Sequence, residues 1–484
     1  MEKPRSPVRV VLLRFIACIF AFLPLICAFH LYPLFSYTKG FIPSLQPPQR
    51  EIGHTQRIQN PKPQASDETQ LHHVVFGVAA SAKLWEHRKD YIKTWWRENQ
   101  TRGFVWLDKP VKRDAEDENS LPPVKISSDT SIFKYTPKNG DRFAIRISRI
   151  VSETVKLGIE DVRWIVLGDD DTVFVVDNLV RVLRKYDHKQ FYYIGSSSES
   201  HIQNIEFSTN MAYGGGGFAI SYPLAIALAK MQDQCIQRYP ELYGSDDRIQ
   251  ACMAELGVPL TKEIGFHQFD VYGNVFGLLA AHPIAPLVSL HHLDVIDPIF
   301  PYVNQVEALQ RLKVPTKLDS AGLMQQSICY DKSKKWTISV SWGYAVQLFR
   351  GLISARLIER PARTFLNWYP DADQVGFEFN SRPISDSICE RPVLYLLSNA
   401  LYNPSTNQTA SEYVRFEKAE YSECKGGEAD PSQIHRVEVR KKPNPNMWDK
   451  PPRRNCCSIL PSEKKGTLVI NVDECSEGEI IYST

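Results

Sequence analysis

From residue 70 onward the chain alternates between short apolar runs and longer stretches with helical spacing. "HVVFGVAAS" (73–81) and "GFVWLD" (103–108) predict strands. Between them "LWEHRKDYIKTWW" (84–96) keeps its apolar and aromatic residues on one side, as a surface helix does. "RFAIRISRIVSETVKLG" (142–158) predicts one amphipathic helix, and "RWIVLG" (163–168) a buried strand. The charged segment "KRDAEDENS" (112–120) reads as a solvated connection. This alternation predicts an α/β fold on a mostly parallel sheet with helices on both faces, over residues 71–299. Beyond Pro298 the pattern changes. "WTISVSWGYAVQLF" (336–349), "PVLYLLSN" (392–399), "HRVEVR" (435–440) and "GTLVINV" (466–472) read as strands, so residues 300–484 form a β-rich accessory region.

The N-terminal end has neither pattern. Residues 10–35 are apolar except for Arg14 and His30. A membrane span needs about 20 apolar residues, and a cleaved signal peptide ends in a small-residue site that is missing here. The basic segment before the apolar run orients the N-terminus to the cytosol. The expected order is a cytosolic tail (1–9), a transmembrane signal anchor (10–35), and a Pro- and Gln-rich stem (36–70) holding a lumenal domain off the membrane. Cysteines and sequons agree with a secretory address. Eight of the ten cysteines lie beyond the anchor without paired CxxC spacing, which suits disulfides of undetermined connectivity. Asn99-Gln-Thr and Asn407-Gln-Thr are N-glycosylation acceptors. A net charge of +2, with acids and bases interspersed, gives no electrostatic case for nucleic acid.

The chemistry concentrates where the buried strand ends, in "GDDDTVF". In extended backbone Asp169 and Asp171 point to one side and Asp170 to the other. Two carboxylates aimed at one spot repel unless a cation sits between them, and oxygen ligands suit Mg²⁺ or Mn²⁺. The bland alternative is a polar turn before a helix that Asp177 begins. An aspartyl phosphatase motif is excluded, because D-x-D-x-T needs Thr where Val173 stands. Ligands in such sheets bind beyond the carboxyl ends of strands, where this triplet falls.

Three further clusters follow. "YGGGGFAIS" (213–221) sets four glycines before a strand and a helix with Pro223 in its first turn; glycines permit close approach by a ligand. "YGSDDRIQACMAELGVPL" (243–260) opens a helix with Asp246 and Asp247, where acids also serve as ordinary caps. "PLVSLHHLDVIDP" (286–298) presents His291 and His292 after an apolar strand; imidazole suits a cation of the Mn²⁺ class, although isolated histidines are more often structural.

Taken in order, these four elements resemble the Fringe-like glycosyltransferases of family 31, and most closely the plant Fringe-related proteins. "GDDDTVF" is similar to that family's D-x-D metal site, "GGGGFAIS" to its G-G-x-G-F segment, "SDDRIQACMAELGVPL" to its acidic segment, and "SLHHLD" to its closing F-H element. Ala251 and Leu290 depart from the family pattern. The resemblance implies a GT-A fold and an inverting, β1,3-type transfer from a UDP-sugar to a carbohydrate or glycoconjugate acceptor. It implies Mn²⁺ (or Mg²⁺) on Asp169, Asp171 and His291, with Asp170, Gly215, Gly216 and Gly217 at the donor. His291 rather than His292 aligns with the family histidine. Asp247 is the implied general base, with Asp246 capping the helix or orienting the acceptor. The implied location is the Golgi membrane, as a single-pass type II protein with a lumenal catalytic domain. Two readings stay open beside the enzyme: a non-catalytic lectin, chaperone or partner subunit on the same fold, and a Ca²⁺-binding matrix protein.

Overall fold

The computed structural model describes residues 68–369, 380–416, 424 and 430–480. The expected tail and anchor, and nearly all of the expected stem, lie outside the described residues. Among the described residues no helix is long and apolar enough to cross a membrane.

Strands β1 (Val74–Ala79), β2 (Arg102–Leu107), β3 (Val124–Ile126) and β4 (Trp164–Asp169) lie parallel in the order β3-β2-β1-β4. After β4 the two-residue strand β5 (Val173–Phe174) leaves this sheet. Strands β6 (Tyr193–Gly195), β7 (Phe218–Ser221) and β8 (Leu260–Lys262) extend it beyond β4 in the order β7-β6-β8, with β7 antiparallel to both its neighbours.

Alternation along the strands explains the two covered faces. Trp164 and Val166 of β4, with Val74, Phe76 and Val78 of β1, pack against Trp85, Ile92 and Trp95 of one helix and Leu179, Val182 and Leu183 of another. Ile165 and Leu167 point the other way, onto Ile150, Val151, Leu224 and Leu228. The helix Tyr222–Arg238 has Pro223 in its first turn, where a missing N–H costs nothing. Its Cys235 is bonded to Cys252 on the helix Asp246–Glu255, which ties the two helices together.

A second, small sheet aims the site. Strands β9 (Phe266–His267) and β11 (Ser289–Leu290) pair in parallel, and β11 pairs antiparallel with β5, with Leu290 opposite Val173. The strand β10 (Val271–Gly273) follows β9 in the chain.

The C-terminal half is β-rich, as expected. Strands β12 (Gln326–Asp331), β13 (Trp336–Ser341), β14 (Ala345–Arg350), β16 (Val393–Asn403), β17 (Gln408–Arg415), β18 (Arg436–Lys441), β19 (Cys456–Leu460) and β20 (Thr467–Asp473) form one sheet in the order 12-13-14-16-17-18-20-19. The short β15 (Phe365–Asn367) leaves it to pair with β10. The two halves share a hydrophobic cluster in which Val271, Leu290 and Phe300 meet Leu312, Tyr344 and Phe365. All described residues fall in one compact unit. The eight expected disulfide cysteines pair as 235–252, 329–457, 389–424 and 456–475.

Three expectations need correction. The segment 142–158 is two helices, Phe143–Ser148 and Ile150–Lys156, separated at Arg149, whose N–H bonds to Arg146 at a tighter spacing. The stretch 336–349 is a hairpin, because Gly343 turns the chain with φ +78°. The segment 112–120 is not merely solvated. It holds a short helix, Ala115–Ser120, with Asp114 capping its N-terminus, and Asp117 is buried between Lys89 and Lys93 at 2.9 Å each.

Candidate active site

Asp169 ends β4, and the chain turns at once. Thr172 holds that turn: its hydroxyl accepts from the Asp169 amide at 2.7 Å and donates to the Gly215 carbonyl at 2.7 Å. Because Leu290 pairs with Val173, the next residue, His291, falls opposite the turn. Its Nε2 lies 3.3 Å from Asp171 Oδ1 and 3.6 Å from Asp169 Oδ2. One ligand atom from each of these three residues falls within 4.8 Å of the others.

The acids are buried unequally. Asp171 is 1% exposed, and its Oδ2 has no hydrogen-bond partner. A buried carboxylate oxygen left in this state is costly unless something positive completes it. On the other edge of His291, Nδ1 lies 3.2 Å from the Gln268 carbonyl, which can only accept. A proton on Nδ1 for that bond leaves Nε2 to face the carboxylates. Despite burial they raise the His291 pKa and favour a positive charge at that edge, the place a cation would take. Burial works against the charge on Asp171, but His291 and then Arg88 hold its carboxyl below the ordinary range. The donor set of two carboxylates and an imidazole fits a divalent cation of the Mn²⁺ or Mg²⁺ kind.

Asp170 stands outside that group of three; it lies in the turn after β4, where strand alternation no longer applies. Arg88 donates to it at 2.9 Å and the Ser81 amide at 3.4 Å. Burial pushes the Asp170 carboxyl up to about 7 despite Arg88. Arg88 also reaches Asp171 at 3.3 Å and Asp294 at 2.6 Å, so one guanidinium serves three carboxylates. Asp177 does not cap the helix Val176–Leu183; it lies within its first turn and forms a two-pronged pair with Arg97.

The glycine run packs against this cluster. A Cβ on Gly215 would lie 2.0 Å from the His291 ring, so only glycine lets the imidazole sit there. Gly217 has φ +86°, and a Cβ there would strike Phe174 at 2.8 Å. The Gly216 amide donates to Gln268 Oε1 at 2.6 Å, and the Ser289 hydroxyl donates to the Gly216 carbonyl.

The acidic pair splits by direction. Asp247 Oδ2 accepts from the Tyr243 and Gly244 amides at 2.8 and 3.1 Å, while its Oδ1 has no hydrogen-bond partner. Burial raises its pKa. Asp246 is half-buried, bonded to the Ser245 hydroxyl at 2.9 Å, and lines a small recess together with Asp169 and Gly214. Burial pushes Asp246 up to about 7, and Asp169 adds to the effect.

Residues 203–457 match the family described as "Protein of unknown function, DUF604", a span of more than half the chain. The chain belongs to this family. Residues 69–273 also match the family described as "Fringe-like". Among curated proteins the chain is similar to the β-1,3-N-acetylglucosaminyltransferase lunatic fringe of Xenopus laevis, at 26% identity over 169 residues. That likeness covers 32% of this chain and 42% of the relative, so the chain spans about two fifths of its length. Among solved structures it is similar to apo mouse xyloside xylosyltransferase 1, with 10% identity, 42% of this chain and 86% of that chain covered, and a TM-score of 0.25. A TM-score that low carries no argument about the fold.

The two matched spans divide the site. Asp169, Asp170 and Asp171 lie in the Fringe-like span alone and His291 in the DUF604 span alone; the glycine run and the Asp246–Asp247 pair lie in both. The Fringe-like resemblance read from the motifs therefore meets a family match over residues 69–273, which takes in three of its four elements and leaves His291 outside. Reading the sequence missed Arg88, Thr172 and Gln268. Thr172 stands in the acidic motif itself. Arg88 sits on the first predicted helix, one turn before Ile92, between Glu86 and Asp90, where it reads as one charge on a mixed helix surface.

Proposed function

We propose that this DUF604 protein is a glycosyltransferase of the Fringe-like type, with a GT-A fold and its nearest kin among the plant Fringe-related proteins. It transfers a sugar from a UDP-sugar to a hydroxyl of a glycan or glycoconjugate, with inversion and in β1,3 linkage. It is held in the Golgi membrane by residues 10–35, with the catalytic part lumenal. The observation that carries the reading is the unanswered Oδ2 of buried Asp171, beside Asp169 and the Nε2 edge of His291.

Asp169, Asp171 and His291 would hold Mn²⁺ or Mg²⁺, which when bound supplies Lewis-acid neutralisation of the donor diphosphate. Gln268 fixes the His291 ring, and Gly215 leaves room for it. The Gly215–Gly217 backbone forms the floor beside which the donor is placed, with Asp170 and its Arg88 partner at the far side. Asp247 takes the acceptor proton on Oδ1 while the two amides on Oδ2 hold the carboxylate still. The acceptor oxygen bonds to the anomeric carbon as the bond from that carbon to the phosphate oxygen breaks, and UDP departs with the electron pair. One base is enough for this single displacement. The full chain, assayed with a panel of UDP-sugars and sugar acceptors, is expected to release UDP only with Mn²⁺ or Mg²⁺ present. Saturable UDP-sugar binding with no release for any acceptor would replace the enzyme with a lectin-like or partner-subunit role.

A further inference from the structure

The strand β15 lies in the C-terminal half, about 90 residues past the Fringe-like span, yet it is built into the wall of the cation cluster. It pairs antiparallel with β10, with Leu366 opposite Tyr272 and Asn367 opposite Val271. Buried Phe365 anchors it in the shared core, and Thr364 bonds to the Gly277 amide at 2.9 Å and the Asn274 carbonyl at 2.6 Å. The next residue out, Trp368, therefore has a fixed position.

Two rings stack on the Trp368 indole: His292, with centroids 4.7 Å apart and 6° between planes, and Tyr272, at 4.8 Å and 4°. His292 is the immediate neighbour of the cation-facing histidine, and the two imidazoles lie 4.1 Å apart. Its backbone is left-handed, φ +52°, a conformation a non-glycine residue keeps only when its surroundings hold it. Buried Asp270 holds one side, with Oδ1 3.2 Å from His292 Nδ1, and the Phe269 carbonyl lies 3.2 Å from the same nitrogen. Trp368 holds the ring face. Tyr369 then donates to Gln203 at 2.8 Å, fastening the segment to the helix His201–Glu206.

We propose that Trp368 is a positioning residue for the cation site: by clamping His292 in its left-handed turn, it aims His291 at Asp169 and Asp171. The C-terminal half then completes the site rather than merely accompanying it. The proposal rests on reading those three residues as the cation site, and it is tested on the full chain with two readouts. The first is Mn²⁺ affinity by calorimetry. The second, without metal, is the rate at which diethylpyrocarbonate modifies His292, followed by peptide mass spectrometry.

Trp368→Ala is expected to speed His292 modification and to lower Mn²⁺ affinity by about 10–100-fold, the usual loss when support behind a metal ligand is removed. Trp368→Phe keeps a flat ring in the stack and is expected to retain most of the affinity. Leu366→Ala, on the same strand and 69% exposed, should match wild type in both readouts. Wild-type Mn²⁺ affinity in Trp368→Ala would overturn the proposal, as would a Phe variant no better than the Ala variant. If the wild type shows no Asp171-dependent Mn²⁺ binding, the cation reading itself fails. His292 modification then decides about the clamp, and an unchanged rate in Trp368→Ala overturns it.

Discussion

Each half of the molecule buries a carboxylate almost completely, and the two are treated in opposite ways. In the C-terminal half the Asp319 side chain is 1% exposed and meets the Lys441 ammonium, itself 2% exposed, while its other oxygen accepts from the Gly322 amide. Every strong demand of that carboxylate is met inside the chain. In the α/β half the Asp171 side chain is also 1% exposed, but it shares Arg88 with two other acids and leaves Oδ2 unanswered. Burial alone therefore does not mark a functional acid. What separates the two is that Asp319 has its own ammonium, whereas Asp171 shares Arg88 and His291 with other acids and keeps Oδ2 unanswered.

Removing one charge from each pair tests this most directly. Asp319→Asn keeps the shape and the capping acceptor but strands a buried ammonium, and it is expected to cost about 3–5 kcal/mol of stability. Thermal or urea unfolding measures this, and Mn²⁺ affinity of the folded variant should not change. Asp171→Asn should do the reverse. Loss of a ligand charge should exceed the loss from a supporting residue, so Mn²⁺ affinity should fall by more than about a hundredfold. Stability without metal should fall less than in Asp319→Asn, because Arg88 keeps Asp170 and Asp294 as partners. A destabilised Asp171→Asn chain with intact Mn²⁺ binding would make Asp171 structural, like Asp319, and end the comparison.

Asp247 is the intermediate case, with one oxygen held by two amides and the other without a hydrogen bond, 3.8 Å from the buried Arg248 guanidinium. If Oδ1 is the base, Asp247→Asn lowers turnover by at least about a hundredfold while UDP-sugar affinity stays put. A role confined to holding the Tyr243–Gly244 turn predicts earlier melting with a near-normal rate. Initial rates and melting of Asp247→Asn and Asp246→Asn, measured side by side, separate these outcomes. A rate lost in Asp246→Asn alone would move the base to Asp246.

How far these differences can be read without coordinates follows from where each partner lies in the chain. Strand alternation separates Asp170 from Asp169 and Asp171, and Asp170 does stay out of the group of three, but the chain has left the strand by then and one Arg88 nitrogen reaches both Asp170 and Asp171. The motif order points to His291, and the β5–β11 pairing brings it there. Partners contributed by distant segments left no local mark. Arg88 comes from a helix that otherwise reads as an ordinary core-packing one, and Lys441 reaches Asp319 from a strand 122 positions away. Asp117 was misjudged for the same reason: its charged neighbours suggest solvent, while Lys89 and Lys93, one helical turn apart, fold over it. Gly343 was the visible signal that 336–349 must turn, and the apolar run around it concealed that.

The last expected effect is a pH dependence, and it concerns Asp246, which shares a recess with Asp169. Burial, helped by Asp169, raises its carboxyl to about 7 in the folded chain, against 3.8 for the free group. The folded state therefore binds this proton more tightly than the unfolded state does. The sign follows from linkage: the stabilising effect of protonation is complete below the unfolded pKa and is lost as pH rises through the folded one. Between about pH 4 and 7 the Asp246 contribution to stability should decline steadily. Asn carries no proton to lose, so Asp246→Asn should gain on the wild type in melting temperature across that window, with the gap levelling off above it. Other carboxylates, Asp117 and Asp177 among them, shift the opposite way, so only the difference between the two chains is diagnostic. A gap that stays constant from pH 4 to 8 would mean that Asp246 ionises as freely folded as unfolded. It would then be an ordinary solvated acid at a helix start, and the crowding of charge beside Asp169 would not extend beyond the triad.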